Sequence, residues 1–540
     1  MIEVENIRGV ILDIFYYHEV TKHKAGRYAK SPGYMDWENE PVPLRSFDGA
    51  EVLKLPFLEK EPDVLYDEIF QRHLPSKGIS LSTAANFLEL SLSLAAWKSY
   101  GGSTWALRIN PSSGNLHAEE TYVLMPVSEN SAALYHYNPY FHLFEKRAGI
   151  DTTAWKTAKD FFPVRGFFVA LSSIHWREAW KYGERAFRYT CLDIGHAVAA
   201  MSVSASVFGL KATVLSGMSC SDIAAVLGLG KTQWIEYEEE IPETLLFIHE
   251  HTEAEIPRRL PDEIIEHLKC QHFAGTPNRL SKTHIPWEII KDISTATEKP
   301  ATEFLKAAYI TKETRVSVTL KMASHVIRTR RSGQRYDGKT NMPFDVFLSI
   351  LNRTLPTSLP FNSDIYPVEG AVFVHLLVYV HRVMGLPQGI YLFARDDSEI
   401  SGMKQRMSAD FLWEETSAPL YLLQRGDFIN VAAMISCGQD IAGDGVFSIS
   451  MISRFADIVS DTPYMYRRLF GEAGMIGQML YLEAEARGFR GTGIGCFFDD
   501  EVHNLLGLQD NYYQCLYNFT IGNALDDKRL TTLPPYYHLK

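Results

Sequence analysis

Two stretches carry the clearest helical period. Ile194, Val198, Met201, Ala205 and Phe208 share one face of a helix that Gly209 would cap. Ile476, Met479, Leu480 and Ala484 repeat that face within residues 471–487. The stripe of Ala84, Leu88, Leu92 and Ala95 predicts a helix over 82–100, and 344–351 predicts another. Residues 175–189 are amphipathic and rich in arginine and aromatics. Short apolar runs predict strands at 121–124, 134–137, 166–171, 371–380 and 389–393.

The periodic segments occur twice. Gly195, Gly209 and Gly228 recur as Gly474, Gly488 and Gly507, each pair 279 positions apart. At that offset Asp193 meets Glu472, Thr213 meets Thr492, and Leu227-Gly228-Leu229 meets Leu506-Gly507-Leu508. The chain therefore reads as two copies of one unit mixing helix and sheet. The first copy spans residues 1–261, a polar connector 262–312, and the second copy 313–540.

The copies differ in two places. Gly491, Gly493 and Gly495 fall on Ala212, Val214 and Ser216, so the glycines are absent from the first copy. Conversely, the first copy has a turn, Pro111-Ser112-Ser113-Gly114-Asn115, whose best counterpart, Pro360-Phe361-Asn362-Ser363-Asp364, is bulky at the serine positions. Proline fixes φ, glycine permits positive φ, and serine and asparagine present polar groups that could meet the edge of a flat heterocycle. Taken alone, the pentapeptide is equally an ordinary surface turn.

Composition narrows the classes. With 540 residues, 46% hydrophobic and 22% charged, the chain is globular and exceeds one usual core. A net charge of −12 argues against a nucleic-acid surface. The six cysteines are scattered without a C-x-x-C pair, which predicts buried free thiols and a reducing, cytoplasmic setting. No signal-like amino terminus and no uninterrupted membrane span is read. His18 and His23 lie five apart, the wrong spacing for one helix face, so no metal site is expected.

Arg328, Arg330, Arg331 and Arg335 cluster around Ser332 at the end of a predicted helix, a pattern that suits phosphate oxygens or, equally, a solvated basic face. Arg529 could add a grip or simply pair with Asp526. Lys181-Tyr182, set among Trp176, Trp180, Phe187 and Tyr189, could handle a proton or snorkel beside a core aromatic. The glycines at 491–495 follow a helix instead of opening one, so a dinucleotide fingerprint is rejected; a Gly-rich loop against a planar ring fits better. Signatures for a P-loop, a serine hydrolase or a zinc enzyme are missing.

Arg330-Arg331-Ser332-x-x-Arg335-Tyr336-Asp337, then Gly491-Thr492-Gly493-Ile494-Gly495-Cys496-Phe497, Leu505-Leu506-Gly507-Leu508 and Asp527-x-Arg529, in that order, resemble the nitroreductase family. The 111–115 turn with Arg108, and Lys181-Tyr182-Gly183 through Arg188-Tyr189, look like its SagB-type branch, which includes thiazole and oxazole oxidases. The resemblance implies α+β units, FMN at the interface of two subunits, and here an internal pseudo-dimer with one competent site. It implies that Arg330, Arg331, Ser332 and Arg529 hold the phosphate, and that Gly493, Ile494 and Gly495 line the ring. Gln334 stands where many relatives carry a basic residue. Pro111, Ser112, Ser113 and Asn115 would close the site from the other half, and Lys181 and Tyr182 would act in catalysis. The implied substrate is a small organic molecule or a modified peptide. NAD(P)H as electron donor to a nitro or quinone reductase, and a non-catalytic scaffold, remain the alternatives.

Overall fold

The computed structural model describes residues 14–71, 73–303, 317–356 and 372–539. Two sheets, each seven-stranded among the described residues and antiparallel throughout, have the same layout. In the first, Glu119–Ser128 and Gly166–Ser173 lie centrally and Leu210–Val214 forms one edge. In the second, Val374–Val380 and Phe447–Arg454 take the central places and Arg490–Ile494 the edge.

Strand side chains alternate between two cores, as a period of two requires. Val123, Val169 and Ile248 of the first sheet, with Leu376, Ile449 and Phe519 of the second, belong to one continuous central core. Tyr122, Leu124, Phe168 and Phe247 face outward onto helices Cys220–Leu227 and Asp262–Cys270. Leu377, Ile390 and Leu392 do the same in the second half, against Asp499–Leu506 and Ile429–Ile435.

Between the sheets lie helices Ala186–Val207 and Met465–Ala486, 22 residues each and buried nearly all round. A helix apolar on every face belongs in a core, and these two pack on each other. Glycine makes the crossing possible. A β-carbon on Gly195 would sit 2.0 Å from the Gly471 carbonyl oxygen, and one on Gly474 would sit 2.0 Å from that of Leu192. These two glycines are partners in the 279-residue repeat, so the crossing is a pseudo-twofold axis. The offset also maps the long helices onto each other end for end, and helix Cys220–Leu227 onto Asp499–Leu506. The latter two are each closed by a left-handed glycine, Gly228 at φ 70° and Gly507 at φ 71°. The chain is thus an α+β tandem, as the repeat predicts.

Three expectations need correction. The predicted helix over 82–100 stops at Glu89, and Leu94–Tyr100 is a strand of a hairpin with Ser103–Arg108. Hydroxyls of Ser91 and Ser93 turn back to the carbonyls of Phe87 and Glu89 at the helix end. The alanine stripe arises because a buried strand also favours small apolar residues there. The glycines at 491–495 are not in a loop; most lie on the edge strand Arg490–Ile494, bonded to Tyr513–Gly522. Nor are all the thiols buried: Cys191, Cys220 and Cys515 are, but Cys270 is exposed and Cys437 and Cys496 are partly so.

The stretch read as a polar connector contains helices Asp262–Cys270 and Glu288–Ala296, whose Ile264, Ile265, Leu268, Ile290 and Ile293 are buried. Late residues of the second half cross over: Thr531–Leu533 pairs with Leu94–Tyr100 of the first. The segment His175–Val207 is long and apolar enough to cross a membrane, but 94% of its most apolar window is buried inside the fold.

Candidate active site at the seam between the halves

The 111–115 turn projects from the hairpin Leu94–Arg108 toward the two long helices. Gly114 has φ 62°, and Asn115 follows at φ 63° with its side-chain amide donating to the Ala106 carbonyl (2.8 Å). The turn is pinned to the first long helix, because the backbone N–H and hydroxyl of Ser113 both donate to Asp193 (3.0 and 3.1 Å). Ser112 Oγ accepts the His117 N–H (2.8 Å) and lies 3.5 Å from Glu178.

Lys181 and Tyr182 end helix His175–Tyr182, where Gly183 at φ 55° turns the chain. Their side chains reach over the turn: a β-carbon on Gly114 would lie 2.6 Å from the Tyr182 hydroxyl and 3.1 Å from Lys181 Nζ. Glycine at 114 therefore makes room for the pair as well as for the positive φ. The Tyr182 ring meets Tyr189 edge-on, with centroids 4.6 Å apart, and the Tyr189 hydroxyl donates to the Gly495 carbonyl (3.1 Å). Through these two rings the first-half turn reaches the second-half edge strand.

The other arm runs through Arg330, which leaves helix Ala323–Thr329 and is buried. Its guanidinium donates to the Ile109 and Arg108 carbonyls (3.1 and 3.3 Å), directly before the turn, and lies 5.1 Å from the centre of the Tyr481 ring. The Tyr481 hydroxyl contacts Ser332 Oγ (2.9 Å) and accepts the Gly493 N–H (2.9 Å). Arg331 donates to the Arg328 carbonyl (2.9 Å). Among the described residues neither Arg330 nor Arg331 has a carboxylate within ion-pair distance. Burial lowers both guanidinium pKa values, and with Arg330 beside it Arg331 falls to about 10. Burial and Arg331 likewise lower the ammonium of Lys98, on strand Leu94–Tyr100. A buried guanidinium, a half-buried one and a nearby ammonium, with no carboxylate ion-paired to either arginine among the described residues, form a place where an anion is stabilised.

The glycines serve a purpose the sequence did not show. A β-carbon on Gly493 would collide with the Tyr517 hydroxyl (1.8 Å), and one on Gly495 with the Tyr189 ring (2.4 Å). Their open sides are filled by tyrosines, so tyrosine rings and not bare glycine backbone wall this part of the seam. Ile494 is buried in the outer core of the second half. Gln334 is exposed, and Arg529 pairs with Asp527 (2.7 Å) over the Tyr100 ring. Among the described residues, neither has a hydrogen bond or ion pair to Arg330, Arg331 or Ser332.

Protons are stored beside the turn. Glu178 and Asp193 are both buried: burial, then Asp193 and Glu119, raise Glu178, and burial, then Glu119, raise Asp193 to about 8. Burial, then Glu178 and Tyr189, keep the Tyr182 phenol protonated. In the repeat Asp193 matches Glu472, but Glu472 is neutralised by Arg395 (2.5 Å). Asp193 has no such cation, which marks the first-half acid as the departure from the shared plan. An aspartate that keeps its proton in the fold and loses it at ~3.9 when unfolded releases a proton on unfolding anywhere between those values, so its contribution weakens as pH rises from about 4 to 8. Urea denaturation of wild type and Asp193→Asn across that range should give curves that converge toward low pH and diverge with rising pH. The wild type should lose up to ~1.4 kcal/mol per pH unit relative to the variant. Parallel curves would show that Asp193 is ionised.

The mirror position, beside Leu210–Val214, holds a small cleft lined by residues that include Cys191, Ile194, Val214, Glu243, Arg467 and Met475. Of the two arginines that line it, Arg467 donates to Glu243, Ser294 and Thr297 (all 2.9 Å), and Arg468 stands beside it. Residues 360–364, expected to close it, lie outside the described residues.

Sequence reasoning named Lys181, Tyr182, the turn and the arginines, and the structure sets the first two over the turn and Arg330 against the carbonyls before it. It passed over Glu178, Tyr481, Tyr517 and Lys98, and gave Asp193 no role. The repeat held one usable signal, an Asp where the second copy has Glu, but the partner Arg395 lies far away in sequence.

Comparison with known proteins supplies the family. The model described as the nitroreductase family matches residues 81–237 and 327–523, one stretch in each half. The crystal structure of a protein described as a nitroreductase from Anabaena variabilis is 21% identical, with 95% of this chain and 99% of that one covered and a TM-score of 0.68. A microcin synthetase complex from E. coli is 18% identical over 47% of this chain and 97% of that one, with a TM-score of 0.27. An NADPH:FMN oxidoreductase from Vibrio harveyi is 14% identical over 37% of this chain and 68% of that one, with a TM-score of 0.22. No curated protein matches the sequence. The chain belongs to the nitroreductase family and carries two units of its fold in tandem.

Proposed function

We propose that the protein is an FMN-dependent oxidoreductase with one flavin site, built across the seam from both halves. The observation that carries this reading is a pair of guanidiniums, Arg330 and Arg331, with no ion-paired carboxylate among the described residues, set where the 111–115 turn meets the second half. These residues fit a phosphate-bearing planar group. Arg330, Arg331 and Ser332 would hold the phosphate, with Lys98 adding charge. Pro111, Ser112, Ser113 and Asn115 would close on the ring from one side, and the strand bearing Gly493 and Ile494, with Gly495 and its tyrosines, from the other. Arg529 would have to leave Asp527 to take part.

Bound FMN would supply the capacity to accept or donate a hydride. The chain's own part is orientation and proton handling. Tyr182, held protonated, can donate at its hydroxyl, Lys181 places a cationic Nζ beside it, and the Glu178–Asp193 pair keeps a proton within the same cluster. This polar mouth suits the SagB-type reading, a dehydrogenase acting on a C–N or C–C bond of a small or peptide-derived substrate in the cytoplasm.

Purified protein should carry or take up FMN at about one per chain, read by visible absorbance and by quenching of flavin fluorescence. A Ser112→Leu/Ser113→Leu double variant should weaken binding by at least about tenfold, although both serines lie in the half without the phosphate grip. A colourless protein that refuses added FMN would refute the reading. Binding unaffected by the double variant would move the flavin out of the seam.

A further inference from the structure

Beyond the flavin site, one cluster has an unassigned chemistry. Cys437 and Cys496, 59 residues apart, place their sulfurs 2.8 Å from each other, and both are partly exposed. We propose that these two cysteines are a redox-active dithiol that is oxidised to an intramolecular disulfide by external low-molecular-weight disulfides.

The approach is imposed by the surrounding backbone. Cys437 follows helix Ile429–Ile435 in a left-handed conformation, φ 56°, costly for a residue with a β-carbon. The helix end is closed by the Gly438 N–H donating to the Ala433 carbonyl (2.9 Å). Cys496 directly follows the edge strand and Gly495. The two segments are tied on both sides of the sulfurs, by Gln439 Nε2 donating to the Cys496 carbonyl (3.1 Å) and by the Phe498 N–H donating to that of Ile435 (2.7 Å).

The neighbours divide the labour between the thiols. His23 accepts the Ala29 N–H at Nδ1 (3.0 Å), which leaves Nε2 to serve Cys496, and Arg185 donates to the adjacent Gly495 carbonyl (3.1 Å). The Cys437 thiol donating to Cys496 is the main reason Cys496 is held down at about 5, with His23 and Arg185 assisting against burial; Cys437 is correspondingly pushed up. A thiolate beside a protonated thiol is the arrangement of an attacking and a resolving cysteine.

The chemistry balances. Cys496 thiolate attacks one sulfur of R–S–S–R; the new S–S bond forms, the old one breaks, and RS⁻ leaves and takes a proton from water. Once Cys496 is bonded to RS, Cys437 no longer shares its proton with a thiolate. It loses that proton to water and attacks Cys496 Sγ, which expels the second RS⁻. The two cysteines give up two electrons and the one proton that Cys437 carried, and the external disulfide becomes two thiols, the second proton coming from water. No flavin is required.

The test uses the full chain, oxidised glutathione in oxygen-free buffer, a maleimide quench and peptide mass spectrometry. In the wild type, peptides containing Cys437 and Cys496 should become joined to each other, with no lasting glutathione adduct. In Cys437→Ser, whose hydroxyl can replace the thiol as donor, the glutathione should remain on Cys496, and should arrive there about tenfold or more faster than on the exposed Cys270 of the same molecules. In Cys496→Ser, Cys437 should react no faster than Cys270. A wild type that accumulates the mixed adduct without closing it, or that is modified at Cys270 as fast as at Cys496, overturns the proposal. Because the wild-type result alone decides between closure and adduct, misfolding of a variant does not shield it.

Discussion

Replacing Lys181 by Met, or Tyr182 by Phe, is expected to lower turnover by about 10²- to 10⁴-fold while leaving FMN affinity within about threefold of wild type. Both side chains lie over Gly114, and neither contacts Arg330, Arg331 or Ser332, so the flavin grip should survive their loss. The Phe variant removes the hydroxyl but keeps the ring that packs against Tyr189, which separates proton handling from structure. Tyr182 is protonated throughout the neutral range by burial and by Glu178, so its loss should lower the rate without moving the pH profile. The measurement pairs steady-state rates, in whichever two-electron assay the wild type supports, with flavin titration of the same preparations. Full activity in both variants would remove the pair from the reaction, and loss of flavin with activity would make them binding residues.

The tandem architecture was open to sequence reasoning because it rests on glycine. At Gly195 and Gly474 the demand is set by helix backbones in contact, and at Gly228 and Gly507 by a positive φ, so no other residue could stand there without strain. Such positions survive divergence of everything around them, and a fixed offset then exposes the duplication. Residues 82–100 show the opposite case. Their alanine spacing satisfies a helix face and a buried strand alike, and the choice was made by a tertiary partner, the strand Ser103–Arg108 together with Thr531–Leu533 from the far end of the chain.

The site was legible where a residue type is chemically unusual in sequence and obscure where its meaning comes from a missing neighbour. Arg330 and Arg331 stand out as a cluster. Asp193 and Glu178 do not, since two acids fifteen positions apart look like any others until burial and neighbouring acids raise them both. The glycines of the edge strand were recognised as a need for space, but what fills the space, Tyr517 and Tyr189, comes from elements whose packing only the fold reveals. For Cys437 and Cys496 the sequence offered nothing, because their encounter depends on a strand end and a helix end meeting across the second half.

Arg330→Met should have the largest effect on cofactor binding, a loss of about 30- to 1000-fold in FMN affinity, equivalent to about 2 to 4 kcal/mol. Arg330 has two tasks, and both fail together. It binds the Ile109 and Arg108 carbonyls, so its removal leaves buried acceptors unpaired and loosens the turn that closes the site. It also takes away the more deeply buried of the two guanidiniums assigned to the phosphate. Riboflavin distinguishes the tasks, because it has the same ring without the phosphate. Wild type should prefer FMN to riboflavin strongly. In Arg330→Met that preference should shrink toward nothing, as FMN falls to the level of riboflavin. Arg330→Lys, which keeps the charge but not the fork that spans two carbonyls, should fall between them. If Arg330→Met weakens both ligands by the same factor and keeps the FMN preference, the arginine holds the seam but not the phosphate, and the anion site must be sought at Arg331 and Lys98 instead.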